Sequence, residues 1–212
     1  MISHLIKKIT KLIFFIKISK LNIFENYKIG KTENISKLKN ILDNKKIALV
    51  GNSPILLKKK QNIDNFDVVI RINILPLKKH YKYAGKRCDI MMMSSGIEKL
   101  VDKNYIKIFF SEKKSYMAKY GHGKIYCCPA KYRKQIDKKI KGRPSTGLQS
   151  LYLLTKIIKN PDITLFGFDH TATSWYANEF NAYISHSKHN FLAEKKFFLS
   201  LCKKYKKIRY SK

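Results

Sequence analysis

Two short apolar segments, each followed by a polar turn, constrain the fold of this chain more than any other feature. Residues 47–50 (IALV) and 66–70 (FDVVI) are mainly apolar and have the length of a strand. Such runs are typical of parallel strands that are buried on both faces. They predict an α/β fold with a single Rossmann-like, mostly parallel sheet flanked by helices.

The residues directly after these two segments are polar and indicate a ligand site. Gly51, Asn52 and Ser53 follow the first segment, and Arg71 and Asn73 follow the second. Glycine lets the backbone turn sharply and approach a ligand closely. Because ligands of open α/β sheets bind beyond the carboxyl ends of the strands, these residues predict a polar rim for a sugar or a nucleotide phosphate.

A further polar segment stands at the predicted start of a helix. Ser145, Thr146 and Gly147 come directly before residues 148–158, an apolar run with helical spacing. Serine and threonine cap helix starts, and the N–H groups and dipole of the first turn favour a bound anion. This segment therefore predicts a second group of phosphate-binding residues.

Other apolar runs complete the predicted domain. Strands are expected at five further places, namely residues 90–93, 106–110, 124–128, 163–168 and around Ile208. The lysine-rich residues 132–142 predict a solvated helix or loop, and the tail from Lys195 predicts an amphipathic helix. We assign residues 45–212 to one domain and residues 1–44 to a basic amphipathic N-terminal segment with its connector.

Three histidines near the C-terminal end are candidate catalytic residues: His170, His186 and His189. Histidine titrates near neutral pH, so it is suited to removing the proton from a substrate hydroxyl. Glu194 follows His189 closely in sequence. Its carboxylate either orients the imidazole ring or caps the helix that follows.

These segments together resemble the eukaryotic-type sialyltransferases, a family that binds CMP-sialic acid. GNS at residues 51–53 followed by FDVVIRIN at residues 66–73 is similar to the long sialyl motif. PSTG at residues 144–147, then a helix, a strand and GFD at residues 167–169, is similar to the short motif. The resemblance implies a GT-A-like variant of the Rossmann-like fold. It also implies an inverting glycosyltransferase that moves sialic acid or a related ulosonic acid from a CMP donor to a glycan hydroxyl.

The very short motif of the family is matched by His189 and Glu194, which implies that His189 is the catalytic base. His186 is the alternative, because His186-Ser-Lys resembles the catalytic stretch of the bacterial sialyltransferases of Campylobacter type. In the family an upstream histidine–tyrosine motif assists the departing phosphate. A Trp-Tyr pair occupies that region here, so this role is assigned to His170 or Tyr176.

The resemblance also implies which residues bind the CMP-sugar. They belong to the long motif, the short motif and the Trp-Tyr pair: Gly51, Asn52, Ser53, Arg71, Asn73, Ser145, Thr146, Gly147 and Tyr176. No Asp-x-Asp pair occurs in the chain, and a CMP donor carries a single phosphate that donors from the protein can neutralise. We therefore expect neither a metal ion nor another cofactor.

The cysteines depart from the family pattern. A disulfide of the family usually joins a cysteine four residues before the glycine of GNS to one late in the short-motif helix. Those places hold Ile47 and Ile158 here. The four cysteines of the chain show no spacing typical of a zinc site. Replacement of both partners implies a version of the family with reduced cysteines, as in a cytoplasm.

The formal charge of +31, almost all of it from lysine, leaves another class of function open. Such a surface attracts nucleic acid, acidic polysaccharide or anionic lipid. Specific phosphate recognition uses the planar fork of arginine, however, and no zinc knuckle, helix-turn-helix signature or aromatic RNP pattern occurs. A basic nucleic-acid-binding α/β protein and a catalytically inactive sialyltransferase-like protein are the alternatives, with nucleic acid the less expected partner.

The N-terminal segment indicates a membrane surface without a membrane span. Apolar residues recur there at helical spacing among lysines, which predicts an amphipathic helix lying on anionic lipid or packed on the domain. Its longest apolar run, residues 12–16, is far shorter than the ~20 residues that cross a bilayer, and no cleavable signal peptide is visible. We expect a cytoplasmic protein, in solution or peripheral on the inner face of the membrane. Its acceptor would be a glycan or glycolipid of protein glycosylation or lipooligosaccharide biosynthesis.

Overall fold

A parallel sheet of seven strands organises the computed structural model, which describes residues 34–94, 105–110, 124–170 and 189–211. The strand order is β5-β4-β3-β2-β1-β6-β7, and every neighbouring pair is parallel. This confirms the predicted α/β class with a Rossmann-like parallel sheet. The strands are β1 (Lys46–Val50), β2 (Val68–Ile72), β3 (Ile90–Met93), β4 (Ile106–Phe109), β5 (Ile125–Cys127), β6 (Asp162–Phe166) and β7 (Ile208–Tyr210).

Helices cover both faces of the sheet. The α-helices are α1 (Lys37–Leu42), α2 (Tyr81–Ala84), α3 (Ala130–Ile140), α4 (Thr146–Ile157) and α5 (Phe191–Lys204). Short 3₁₀ helices occur at Pro54–Lys58, Ile63–Asn65 and Lys78–His80. The lysine-rich segment predicted as a helix or loop is therefore the helix α3, and the amphipathic helix predicted in the tail is α5.

The pairing of β1 with both β2 and β6 creates a switch point in the sheet. Strands β1 to β5 run outward in sequence order on one side of β1, whereas β6 and β7 lie on its other side. The connections that leave β1 and β6 therefore diverge at the carboxyl edge. In open α/β sheets ligands bind in the crevice that such a divergence opens.

Alternating burial along the strands divides the core between the two faces. The larger part lies on the face covered by α1, α3, α4 and α5, where Leu151 and Leu154 of α4 and Phe198 of α5 are almost fully buried. The opposite face carries two smaller clusters, around Val69 and around Met91. Because both faces are covered, the strands are mainly apolar on both sides, although Arg71 and Lys107 are buried among them.

Strand β2 differs from the sequence prediction by two residues. It was expected at residues 66–70, but Phe66 caps the 3₁₀ helix Ile63–Asn65 and β2 runs from Val68 to Ile72. Arg71 is therefore a strand residue, on the face opposite Ile70 and Ile72. Asn73 follows with a positive φ of 63°, which ends the strand.

The two isoleucines at the disulfide positions of the family are core residues. Ile47 and Ile158 belong to the same apolar cluster and are 0% and 4% exposed. The four cysteines of the chain occur as thiols. Two apolar side chains thus occupy the places where the family usually has a covalent link.

Several sequence predictions concern residues outside the described ranges. These are the amphipathic N-terminal helix, His186 and Tyr176. Helix α1 lies within the connector predicted at residues 1–44, and its Leu38 and Leu42 are buried in the main core, while the boundary at residue 45 stays a prediction. Across the four described ranges, no helix is both long and apolar enough to cross a membrane.

Candidate active site

An open pocket lies at the carboxyl edge of the sheet, at the switch point between β1 and β6. It is lined by the turns after β1, β2, β3 and β6 and by the N-terminal turns of α4 and α5. Six separate segments of the chain thus meet at one place. The polar residues among its lining are Asn52, Ser53, Asn73, Ser94, Arg143, Ser145, Thr146, Asp169, His170, His189 and Glu194.

Glycine is required where the turns after β1 and β6 touch. The Gly51 N–H donates to the Phe166 carbonyl at 2.8 Å, and the Ser53 N–H donates to the Gly167 carbonyl at 3.2 Å. A Cβ on Gly51 would lie 2.5 Å from the Gly167 carbonyl oxygen, a distance that no side chain tolerates. The absence of a side chain lets the two turns close the back of the pocket.

The side chains after β1 are held by neighbouring turns. Asn52 Nδ2 donates to the Ile72 carbonyl at 2.8 Å, and the Ser53 hydroxyl donates to Asp169 Oδ2. Asp169 comes directly after the turn of β6, so this bond crosses the switch point. The carboxylate of Asp169 is thus a fixed acceptor in the wall of the pocket.

Asn73 faces the pocket because of its backbone conformation. A residue two positions after Arg71 on a regular strand would point to the same face as Arg71. With φ at 63°, in the left-handed region that asparagine tolerates, Asn73 Nδ2 instead donates to the Thr146 hydroxyl at 3.4 Å. Its Oδ1 accepts from the Ser94 N–H at 3.3 Å, so Asn73 links the turns after β2 and β3 to α4.

The N-terminus of α4 points at the pocket. Ser145 is the N-cap, and its hydroxyl accepts from the Leu148 N–H at 3.2 Å. A Cβ on Gly147 would lie 2.8 Å from a ring carbon of Phe168, which shows how closely the first turn approaches the opposite wall. The arrangement fits the predicted helix start, because the N–H groups of a first turn have no partner within the helix.

Glu194 holds this helix start from the first turn of α5. Its carboxylate is 2% exposed and accepts two hydrogen bonds from Ser145. The Ser145 N–H donates to Oε1 at 2.7 Å and the Ser145 hydroxyl donates to Oε2 at 2.5 Å. Both oxygens are engaged in fastening α4 to α5, and we call this pair of bonds the Ser145–Glu194 clasp.

His189 is oriented by a main-chain carbonyl. Its Nδ1 lies 2.8 Å from the Arg143 carbonyl oxygen, which can only accept, so Nδ1 carries the proton in this contact. The neutral ring then has an unprotonated Nε2. Glu194 Oε1 lies 3.7 Å from Nδ1, and its interaction with the ring raises the pKa of His189 above the usual value, with burial opposing and the Arg143 carbonyl adding to this effect.

His170 occupies a different environment on the same pocket wall. Its ring packs against Phe198, with 4.6 Å between ring centroids, and its Nε2 lies 2.6 Å from the Tyr210 hydroxyl. Burial lowers the pKa of His170, although the Glu194 charge acts in the opposite direction. The two described histidines of the pocket thus differ in the direction of their pKa shifts.

Most of the predicted site residues that the structure describes converge on the pocket. They are Gly51, Asn52, Ser53, Asn73, Ser145, Thr146, Gly147, His170, His189 and Glu194. Arg71 does not line it: the side chain is 1% exposed and donates to the carbonyls of Arg87 at 2.7 Å and Ala84 at 2.8 Å. His186 and Tyr176 lie outside the described residues.

Three polar pocket residues were not predicted: Ser94, Arg143 and Asp169. Asp169 is the last residue of GFD at residues 167–169 and directly follows a predicted strand, so its position at a carboxyl strand end was the available signal. Ser94 carries the same signal, because it directly follows the strand predicted at residues 90–93, whereas Arg143 carries none. Among the residues that the structure describes, no group of three or more His, Cys, Asp or Glu side chains is arranged to hold a metal ion.

Comparison with solved structures shows a shared fold. A mammalian sialyltransferase in complex with Gal-beta-1-3GalNAc-ortho-nitrophenol superposes with a TM-score of 0.60 at 20% identity, covering 86% of this chain and 74% of the other. A second mammalian sialyltransferase structure gives 0.58 at 18% identity, with coverage of 91% and 86%. At these identities the similarity concerns the fold alone.

Sequence comparison connects the chain to the same group of proteins. Sialyltransferase-like protein 2 of Arabidopsis thaliana is 36% identical over 58 residues, which is 26% of this chain and 13% of the plant protein. The family model described as Glycosyltransferase family 29 (sialyltransferase) matches residues 19–124, half of the chain. The predicted relationship is therefore confirmed: this chain belongs to glycosyltransferase family 29, the sialyltransferases.

Proposed function

We propose that this protein is an inverting, metal-independent glycosyltransferase that moves sialic acid or a related ulosonic acid from a CMP donor to a hydroxyl of a glycan. The observation that carries the proposal is the convergence of Asn52, Asn73, the start of α4 and His189 on one pocket at the switch point of the sheet. Membership of family 29 supports the donor class.

The start of α4 is the proposed phosphate site. Ser145 is already engaged with Glu194, so the donors toward an anion are the N–H groups of Thr146 and Gly147, aided by the helix dipole. The Asn52 and Asn73 side chains stand beside them. Asp169, an acceptor on the opposite wall, suits a hydroxyl of the ribose better than a phosphate.

His189 is the proposed base. With its proton on Nδ1, the Nε2 lone pair takes the proton of the acceptor hydroxyl. The acceptor oxygen forms the new bond to the anomeric carbon as the bond from that carbon to the phosphate oxygen breaks. CMP leaves with the electron pair, and a single displacement inverts the anomeric configuration.

Assistance to the departing phosphate is assigned to His170, with Tyr176 as the alternative. When the Tyr210 hydroxyl donates to Nε2 of His170, the ring proton is on Nδ1 and is available as a donor. A neutral imidazole donates a hydrogen bond without placing a full charge in the site. Because CMP carries one phosphate, donors of this kind replace the metal clamp of nucleotide-diphosphate sugars.

The test is nucleotide binding followed by turnover. We expect CMP to raise the melting temperature of the full chain more than UMP, AMP or GMP at physiological salt, with or without EDTA. We also expect release of CMP from CMP-sialic acid, measured with and without a mixture of glycan acceptors. Turnover that is lost on chelation and restored by Mn²⁺ would contradict the proposed donor class, and CMP binding without any donor breakdown would favour a catalytically inactive relative.

The charge of +31 keeps nucleic-acid binding as the second candidate function. Affinity for nucleic acid that falls steeply with salt and is unaffected by CMP would favour it. Saturable CMP binding that varies little with salt would favour the transferase. Both measurements use the same protein preparation.

A further inference from the structure

The outer face of α5 exposes two leucines among lysines. Leu192 is 67% exposed and Leu199 is 49% exposed, the two most exposed large apolar side chains among the described residues. Residues three, four and seven apart share one side of a helix, so exposed Lys195, Lys196 and Lys203 lie beside them. We call these five residues the α5 outer face. It bears no acid, because Glu194 points inward.

The basic surface continues onto α3. Asn190 Nδ2, at the start of α5, donates to the Ile140 carbonyl at the end of α3, at 3.3 Å. Lys139 Nζ lies 5.0 Å from the ring centroid of Phe197, so the last turn of α3 runs beside α5. Exposed Lys138 and Lys141 extend the positive surface to the end of α3.

We propose that the α5 outer face docks on an anionic lipid bilayer. Leucine side chains gain by leaving water for the boundary of the acyl chains, while lysines reach the headgroups with their ammonium groups. Opposite charge draws such a face to anionic lipid. A nucleic-acid surface fits less well, since exposed leucines neither stack on bases nor bind phosphate, and arginine is absent from the face.

Docking in this way places the pocket at the membrane surface. Phe191 and Glu194 line the pocket, and Leu192 lies between them in sequence with its side chain on the opposite side of the same turn. One helix diameter, ~10 Å, therefore separates the bilayer from the candidate active site. Given the proposed function, the acceptor is a glycan carried by a membrane lipid, within reach of an enzyme held on the surface.

The experiment is flotation of the full chain with vesicles of phosphatidylcholine alone and with about a third of phosphatidylserine. In the test variant, Leu192 and Leu199 are replaced by Ser, and Lys195, Lys196 and Lys203 are replaced by Gln. The control makes the same kind of change on the opposite face of the sheet. There Ile55, which is 44% exposed, is replaced by Ser, and Lys58, Lys59 and Lys60 are replaced by Gln. It removes the same charge, so it corrects for the loss of general attraction.

We expect the test variant to bind anionic vesicles at least tenfold more weakly than the wild type, because a lysine near an anionic surface contributes roughly fivefold to the affinity for it. The control should bind less than threefold more weakly, since its lysines lie away from the docked face. Equal binding by both variants would overturn the proposal. So would a selective loss of single-stranded DNA binding with vesicle binding unchanged. CMP binding in solution, measured by thermal shift on all three proteins, reports separately on the proposed function.

Discussion

The two edges of the same sheet carry polar networks of different construction. At the amino edge, Arg87 donates to the carbonyls of Phe66 at 2.6 Å and Asp67 at 2.7 Å and to Asp89 Oδ1 at 2.9 Å. Arg71 reaches toward the same segment from β2. At the carboxyl edge, the polar side chains bond to one another across turns, around an open pocket.

The difference shows why residue type alone does not identify a ligand site. The guanidinium groups of this network bond to main-chain carbonyls and, for Arg87, to the Asp89 carboxylate, so they fasten loops that precede the strands. At the carboxyl edge the network leaves helix N–H groups and imidazole nitrogens facing the cavity. Substitutions at the amino edge should therefore change stability, and substitutions at the carboxyl edge should change binding and turnover.

The largest effect is expected for His189→Ala. Loss of a general base lowers turnover by roughly 10²–10⁴-fold. The measurement is single-turnover release of CMP from CMP-sialic acid, with a thermal melt on the same sample. His186→Ala is the matched control, and a larger loss for that variant would transfer the role of base to His186.

Arg71→Met is the corresponding change in the network that fastens the segment before β3. It leaves the carbonyls of Ala84 and Arg87 without their donor, which we expect to lower the free energy of unfolding by about 3 kcal/mol. CMP affinity of the folded protein should be unchanged. Urea denaturation measures the first quantity and calorimetric titration the second. The control is Arg133→Met, since that side chain is 47% exposed and its contact with Asp137 is long at 3.8 Å. A loss of CMP affinity in Arg71→Met would show that Arg71 contributes to CMP binding.

Glu194→Gln tests whether the residue that holds the start of α4 also affects turnover through His189. Glutamine accepts only one of the two Ser145 donors, so we expect stability to fall by about 2 kcal/mol. The interaction with Glu194 is the largest cause of the raised pKa of His189, and its loss should move the acidic limb of the pH–rate profile to lower pH. A pH–rate profile with an unmoved acidic limb would show that Glu194 acts on Ser145 alone.

The pKa of His189 also fixes the sign of a stability effect. A histidine whose pKa is raised on folding stabilises the protein below its unfolded-state pKa, and this stabilisation is lost as pH rises through the folded-state value. The difference in unfolding free energy between wild type and Glu194→Gln should therefore be larger near pH 6 than at pH 8. Urea denaturation at both pH values measures it.

The smallest effect is expected for Gly147→Ala. The added methyl group would lie 2.8 Å from the Phe168 ring, which has to shift and narrow the pocket beside the start of α4. We expect CMP affinity to fall by about threefold to tenfold at a stability cost below about 1 kcal/mol. Adding Phe168→Leu should restore part of the affinity, and additive losses in the double variant would show that the ring is not the obstacle.

Much of the fold could be predicted from the sequence because parallel strands that are buried on both faces consist of continuous apolar runs. Strand β3 was predicted at its observed bounds, and α4 began close to its predicted start at a Ser cap. The strand order was not predictable, because it depends on which helix packs on which face. The start of β2 was predicted two residues too early because aromatic residues such as Phe66 are typical of strands. In the structure Phe66 caps a 3₁₀ turn.

The candidate site was only partly predictable for a related reason. Residues directly after strands, such as Asn52, are placed by topology, so the motif order identified them. Arg71 was misleading because alternation along β2 turns its side chain away from the pocket, whereas the positive φ of Asn73 turns that residue toward it. Arg143 reaches the pocket through a loop conformation that leaves no periodic trace in a sequence.

The Ser145–Glu194 clasp has a consequence for synthesis of the protein. Its two residues are 49 positions apart, and Ser145 leaves the ribosome well before Glu194. A nascent chain that ends before α5 already contains the segments that match the long and short sialyl motifs. It lacks His189, and the start of its α4 has no bond to α5. The proposed anion site and the proposed base therefore become complete in one late step of folding, so a translation product interrupted before that step lacks the complete pocket.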